Sequence, residues 1–565
     1  MRVIKKILLI ILVSATLLFS QTIWDGTIDT SWYNASQIEF TITTAGQLAG
    51  LAKLTQSVLP SGHINNRHVS FAGKTINLGN DIDLGNINWQ PIGDFNGTFD
   101  GRGHSISNLS ISHTMNQSNF WNTAFGLFAF IGTGGQVKNI TVNITEINVE
   151  SIVGYSFAVG GLAGGYSSTK PIKNSGVNVV GNITALCRGG DSHVGGLVGH
   201  LGESTEIINS FATGTRISAR NTSSFPSATR INSAGGLVGH SRNSLIIKNS
   251  YSKLNIGAAA TTSSVLTYVG GLIGYSGYEI EINNSFSAGD ISVSGVRTTT
   301  HIGGLVGVGN RWVTINNSHT SGNIFIYNNQ FIGTRIGGLT GGLTVGNWGT
   351  IIITNSYSGG EITVISESLL HGTTSTSGIS PAGSFGLILN SVYFNSDLVI
   401  TANNANGRST AELQQIETFV DWDFENIWAI DPAINNGFPH LRFFTNKCET
   451  CGRCGCEIDH STSIRISKIN NNNYGIRFTQ NIVSDKAEIS VVLPNNERVA
   501  EKRVLIYDNT GNVVFTTTQR SEKTVWDLTN NAGRFVANGG YLVVVEVRSV
   551  NGRVYMYSAK LGVRR

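Results

Sequence analysis

A phrase close to GGLVG occurs six times in this chain, and an Asn-Ser pair follows it at a nearly constant distance. The first glycines are Gly160, Gly195, Gly235, Gly270, Gly303 and Gly337, so successive intervals are 35, 40, 35, 33 and 34 residues. Asn174, Asn209, Asn249, Asn284 and Asn317 each lie fourteen residues beyond their glycine. The spacing stretches to eighteen at Asn355, and Asn390 continues the series without a clear glycine pair. A period of this length means a chain that grows by stacking one structural unit on the next.

One repeat reads as three short strands, 195–199 (GGLVG), 206–211 (EIINSF) and 215–218 (RISA), separated by Gly, Asn and Ser. No helical apolar period competes inside the repeats. We therefore expect an all-β fold, a right-handed parallel β-helix over 64–400, with neighbouring coils about 4.8 Å apart. Residues at the same place in every coil would then stack. Glycine there permits close backbone approach or a positive φ at a corner, and stacked asparagines can pass amide hydrogen bonds along a ladder.

Composition agrees. Charged residues make up 13% of the chain, and Gly (68 residues) far outnumbers Pro (8), which favours strands and turns over helices. The net charge of +4 comes from 39 basic and 35 acidic residues without a basic run, so nothing points to nucleic acid. Arg2, Lys5 and Lys6 precede an apolar run from Ile7 to Phe19, with the small Ser20 behind it. That is the pattern of a signal peptide over 1–20. The run is shorter than the ~20 residues of a spanning helix. We expect export, with no membrane span in the mature chain.

Both ends of a solenoid need caps. Residues 21–63 are expected to supply one, with Leu48, Leu51 and Leu54 on a short amphipathic helix. Residues 401–445 would supply the other, with Ser409 and Glu412 as a capping box. Residues 64–112 keep the rhythm without the glycine pair and read as the first coils. A degenerate copy follows at 126–142.

Beyond 445 the character changes. Cys448, Cys451, Cys454 and Cys456 fall within nine residues in a linker over 446–470. In an exported chain they read as disulfides of undetermined pairing or, alternatively, as metal ligands. Cys187 stands apart as an expected small core residue. Six alternating segments over 471–565, from AEISVVL to RVYMYSAKL, describe a small Ig-like β-sandwich.

Catalysis in a β-helix would need paired carboxylates, or acidic calcium ligands with a basic residue. Between Gly160 and Gly360 stand only Asp191, Glu203, Glu206, Glu279, Glu281 and Asp290. Glu206 and Glu281 share a coil position but have a whole coil between them. Asp81, Asp83 and Asp100 suit turns. No catalytic residue, metal site or cofactor is assigned. His200 and His240 recur at one coil position with Tyr275 next, and read as a side-chain stack. Phe211, Tyr251, Phe286, His319 and Tyr357 recur two residues after the asparagine. If this ladder faces inward it is core; if outward, it is a surface on which sugar rings can stack.

The GGLVG and GGLIG phrases resemble those of bacterial surface proteins carrying the GLUG motif. WDGTIDTSWYN (24–34), FNGTFDGRGHSISNL (95–109) and WAIDPAINNGFPHL (428–441) are similar to the segments that bracket such repeats. The resemblance spans roughly 22–442. It implies a secreted or cell-surface, adhesin-like, non-catalytic protein whose partner is a polysaccharide or another surface, and it carries over no catalytic residue. The alternative is a β-helix polysaccharide lyase or glycoside hydrolase. The last hundred residues are similar to the Ig-like domain of flagellar hook-capping proteins and to type IX secretion sorting domains. KLGVRR resembles the sorting ends, which implies recognition by export machinery.

Overall fold

The computed structural model describes residues 23–56, 68–116, 123–152, 154–222, 229–261, 265–296, 299–330, 333–344, 349–366, 374–381, 386–399 and 406–445, and then 475–478, 482–493, 497–507, 513–530, 533–550 and 554–564. The expected signal peptide and all four clustered cysteines lie outside these residues. The chain divides into two compact units, ending and beginning at Lys447 and Cys448.

The first unit is a parallel β-solenoid of about nine turns. Every strand pairing along it, from Glu39–Ile42 on Thr75–Leu78 to Leu387–Asn395 on Gly407–Arg408, is parallel. The coil of residues 192–221 holds four strands, one more than the repeat suggests, because GGLVG is a corner and not a strand; in the three coils that follow, the last strand is split in two, as in Tyr251–Ser252 and Asn255–Ala260. Ser192–Gly195 ends at the first glycine of its motif and Val198–Leu201 begins after it. These strands belong to separate sheets of eight and six strands. Thr205–Ile208 and Phe211–Asn221 complete the coil in a third sheet, which bends at Asn209.

Glycine and asparagine serve their corners by different means. Asn139, Asn174, Asn209, Asn249, Asn284, Asn317 and Asn355 all have φ between +45° and +55°, the left-handed region that asparagine tolerates best among residues with a side chain. The side chains of Asn174, Asn209, Asn249 and Asn284 each donate to the amide oxygen one coil back, at 2.9, 3.1, 3.2 and 3.4 Å. The last member of the series is displaced: Thr354 pairs with Asn390, so Ser391, at φ +51°, takes the corner. The following serines form a second ladder, in which the Ser210 N–H donates to Ser250 Oγ at 3.1 Å and the Ser250 N–H to Ser285 Oγ at 3.1 Å.

Asn209→Ala should cost about 3 kcal/mol in a denaturant titration: roughly 1–2 for a left-handed alanine and about 1 for each lost amide bond. Asn209→Gly should recover the backbone share. Equal losses in the two variants would mean that the corner conformation carries no weight.

Inside, Leu162, Leu197, Leu237, Leu272, Leu305 and Leu339 stack as one fully buried column. The first coils are filled by Phe71, Phe95, Phe99 and Phe128 in tilted and edge contacts. The helix Ala45–Leu54 starts at Thr44, whose hydroxyl accepts from the Gln47 N–H at 3.2 Å, and it buries Leu48 and Leu51 against this end. At the other end Ser409 and Glu412 form the reciprocal box, with the Ser409 N–H donating at 2.7 Å, but only two short 3-10 turns follow, Glu412–Gln414 and Ile416–Thr418. Cys187 is buried and free; burial pushes its thiol up.

The second unit is all β. Its three- and five-stranded sheets contain the six expected strands, together with Gly475–Phe478 and Ile482–Val483. Both sheets contribute to a core around Trp526, Val504 and Val543. Leu561 and Val563 are buried in the last strand, so KLGV is structural and the basic pair follows it.

Candidate functional site

Phe211, Tyr251, Phe286, His319 and Tyr357 form a continuous stack with centroid separations of 5.7, 4.9, 5.0 and 5.0 Å. The last three steps lie within 6° of parallel. This ladder combines the two alternatives open from sequence. It faces away from the solenoid interior, yet it is covered, because 413–444 folds back over it and makes a second hydrophobic core. Phe444 sets its edge on Tyr251 and Phe286 at 5.2 and 5.1 Å. Trp428 lies over His319 and Tyr357 at 5.9 and 6.2 Å. The Tyr357 hydroxyl donates to the Pro439 carbonyl at 2.7 Å. Burial pushes the Tyr357 phenol up and takes the His319 imidazole down to about 3.

A different stripe of rings reaches the surface, and the glycine motif creates it. The motif glycines do not have positive φ; their need is for space. A Cβ on Gly195 would collide with the Val198 carbonyl across the corner. One on Gly199 would come 2.6 Å from Val159 N in the facing strand of the preceding coil. The outer faces of the two glycine sheets therefore fold toward each other as a re-entrant crease, with bare backbone for a floor.

Two columns of side chains flank that floor. Register places Ala158, His193, Ser233, Tyr268, His301 and Arg335 along one wall. Gly165, His200, His240, Tyr275 and Val308 follow along the other. Across the crease the rings meet: His193 lies 5.7 Å from His200 and 4.4 Å from His240, and Tyr268 stacks on Tyr275 at 5.3 Å. Along it, His240 is 5.1 Å from His200 and 4.6 Å from Tyr275.

His193, His200, His240 and Tyr275 are partly exposed, and none of these rings belongs to the solenoid core. Burial holds all three imidazoles below their ordinary range, His240 at about 3, with His200 and Arg242 adding to the effect there. They are neutral at pH 7. The stack expected for His200, His240 and Tyr275 is thus present, and His193, one strand away, was missed. Its signal was the polar or aromatic residue two places before the first glycine in five of the six motifs, from His193 to Arg335. Among the described residues, no group of three or more His, Cys, Asp or Glu side chains is arranged to hold a metal ion.

The carboxylates are engaged elsewhere. Asp191 accepts from the Ile231 N–H and Asp290 from the Asn323 N–H, both at 2.8 Å, tying adjacent coils. Ile246 lies between Glu206 and Glu281 in the register. Asp81, Asp83 and Asp100 accept from the backbone N–H groups of Ser105, Gly85 and Arg102. Burial pushes the Asp100 carboxyl up, but Asn139, the Arg102 N–H and Lys138 outweigh it and hold it below its ordinary value.

Residues 190–218, which hold both the glycine corner and the Asn209 corner of one coil, match the GLUG motif family. Halomucin of Haloquadratum walsbyi is 31% identical over 155 residues, which cover 27% of this chain and 1% of that protein. The chain therefore spans only a small part of this relative. Among solved structures, PorZ, a bacterial surface component of the type IX secretion system of Porphyromonas gingivalis, is similar at 21% identity over 16% of this chain and 12% of its own, with a TM-score of 0.13. CopC from Methylosinus trichosporium OB3b is similar at 16% identity over 16% of this chain and 92% of its own, also with a TM-score of 0.13. Among the described residues no helix is long and apolar enough to cross a membrane.

Proposed function

We propose that this chain is a secreted or outer-surface, adhesin-like protein that binds polysaccharide or another surface along its solenoid and does not cut what it binds. The observation that carries this reading is the columnar repetition of outward side chains. Coils in strict parallel register present the same position at intervals of about 4.8 Å, which suits a ligand that is itself a polymer. The GLUG motif and the likeness to halomucin support a surface or secreted setting. The use of the solenoid carboxylates in turns and coil-to-coil contacts supports a non-catalytic role. Residues 471–565 are assigned as an Ig-like sorting or anchoring domain read by export machinery. Their two sheets on one core support the Ig-like part of that reading.

The test compares the full chain with a chain lacking 471–565, on a glycan panel and in a degradation assay, and follows surface display in the producing cell. Binding without breakdown is expected, with display lost and glycan binding kept in the shortened chain. Turnover of a bound glycan would overturn the non-catalytic reading. Normal display of the shortened chain would overturn the sorting assignment.

A further inference from the structure

Trp312 and Tyr278 are 41% and 37% exposed, more open to water than any ring of the crease or of the covered ladder. They stand on adjacent coils, at the turn that leads from the six-stranded sheet into the strands Ile280–Asn283 and Val313–Asn316. We propose that this pair of rings, with Arg311 and Glu279, is a glycan subsite that takes one or two neutral pyranose units of a polysaccharide against the Trp312 indole. The site rests on the reading of the protein as a polysaccharide binder and gives that reading an address.

The turn is ordered before any ligand arrives. The Ile280 N–H donates to the Trp312 carbonyl at 2.9 Å, and the Val313 N–H donates to the Thr350 carbonyl at 3.1 Å. The Asn310 side chain donates to the Gly277 carbonyl at 3.0 Å and accepts from the Thr344 hydroxyl at 2.6 Å. Above this base the Arg311 guanidinium lies 4.7 Å over the Tyr278 ring and donates to its hydroxyl at 3.2 Å. Trp312 stands nearly perpendicular to Tyr278, with the centroids 6.5 Å apart. Side chains already fixed in this way lose little freedom on binding.

The chemistry around the rings favours a sugar. An exposed indole offers an apolar surface on which the C–H face of a pyranose packs. Arg311 commits Nη1 to Tyr278 and carries further N–H donors, while the carboxylate of Glu279 only accepts. Both side chains are exposed, and among the described residues neither is in an ion pair. A sugar hydroxyl can accept from the one and donate to the other. Opposite charges side by side leave no net charge to select an ionic ligand, which favours a neutral one. The platform is also short. One coil back, Asn243 and Ser244 hold the positions of Tyr278 and Glu279, and one coil on, Thr350 holds that of Trp312. Two coils of rings suit one or two sugar units.

The test passes the full chain over immobilised cellulose, mannan and chitin as neutral probes, alginate and pectate as acidic ones, and gelatin as a polypeptide surface. We expect a neutral polysaccharide to retain it. Trp312→Ala should weaken that retention about tenfold, while Trp312→Phe, which keeps a ring face, should stay within about threefold. Tyr327→Ala removes a ring that is 49% exposed elsewhere on the solenoid and should leave retention unchanged. Both residues are at the surface, so thermal unfolding of the variants should match that of the parent. In the unmodified protein, the cello-, manno- or chito-oligosaccharide that corresponds to the retaining probe should shield Trp312 from N-bromosuccinimide, read by peptide mass spectrometry. Retention that survives Trp312→Ala, with Trp312 unshielded, would overturn the subsite and leave the polysaccharide-binder reading standing. An equal loss in Tyr327→Ala would overturn it too, since any exposed ring would then serve. Retention by the acidic probes alone would overturn the neutral-glycan assignment. Retention by gelatin alone would overturn the subsite and leave a protein that binds another kind of surface. A full chain held by none of the six probes would overturn both readings.

Discussion

Gly235→Ala is expected to abolish the native stacking of its coil, at a cost above 4 kcal/mol, in the range of the most damaging single substitutions. The added Cβ would overlap the Val238 carbonyl of its own corner and approach Gly274 N and Ile273 Cα of the next coil at 2.6 and 2.8 Å. All three are backbone atoms held by pairing on both sides. None can move without breaking the ladder that positions its neighbour, and interiors packed this tightly do not relax cheaply. Ser233→Ala, two residues away on the same strand, is the comparison. It removes one hydrogen bond to His193 and should cost about 1 kcal/mol. Urea midpoints of the two variants decide the matter. If they coincide, the crease is not closed by backbone contact and the account of the motif fails.

Acid should destabilise the protein well above the range where carboxylates titrate, and His319→Phe should remove part of that sensitivity. His319 is stacked between Phe286 and Tyr357 under Trp428. Burial lowers its imidazole to about 3, with His440 and Lys253 nearby adding repulsion to the charged form. The unfolded chain takes up this proton near pH 6.5 and the folded chain only near pH 3. Its contribution is therefore complete above pH 6.5 and is lost as the pH falls toward 3, at up to about 1.4 kcal/mol per pH unit. His193, His200, His240, His301 and His440 are shifted the same way. Phenylalanine keeps the stack and removes an Nδ1 that has no partner. A gain of about 1 kcal/mol at pH 7, rising to about 3 at pH 5, is expected from denaturant titrations. A gain that does not grow on acidification would show that His319 is not buried as a neutral ring.

The two substitutions probe parts of the molecule that were legible in the sequence to different degrees. Six glycine pairs and their asparagines announced a stacked, all-β chain, because each residue in a solenoid bonds to its equivalent one coil away and so must repeat. Alternation, and not repetition, exposed six of the eight strands of the C-terminal unit. Repetition alone did not say whether GGLVG was a strand or a corner, since a residue that packs through its missing side chain leaves the same mark either way. Nor did it reveal that Ser391 and not Asn390 closes the last asparagine-type corner: a shift of one position shows only in the pairing register.

The aromatic ladder marks the boundary most clearly. Its period and its ring chemistry are written in the sequence at Phe211, Tyr251, Phe286, His319 and Tyr357. Its covering comes from Trp422, Trp428, Phe438 and Phe444, which follow no period and lie tens of residues away along the chain. Only tertiary structure brings them together, because docking of a non-repeating segment depends on the shape of the whole stack. The crease is decided at the same level. Single coils hold His193 and His200 seven residues apart, and it is the fold of one glycine sheet against the other that brings their rings together. The sequence determined what recurs from coil to coil, through hydrogen bonding between equivalent positions. Tertiary structure alone determined which recurring stripe is sealed by other parts of the chain and which is left facing water.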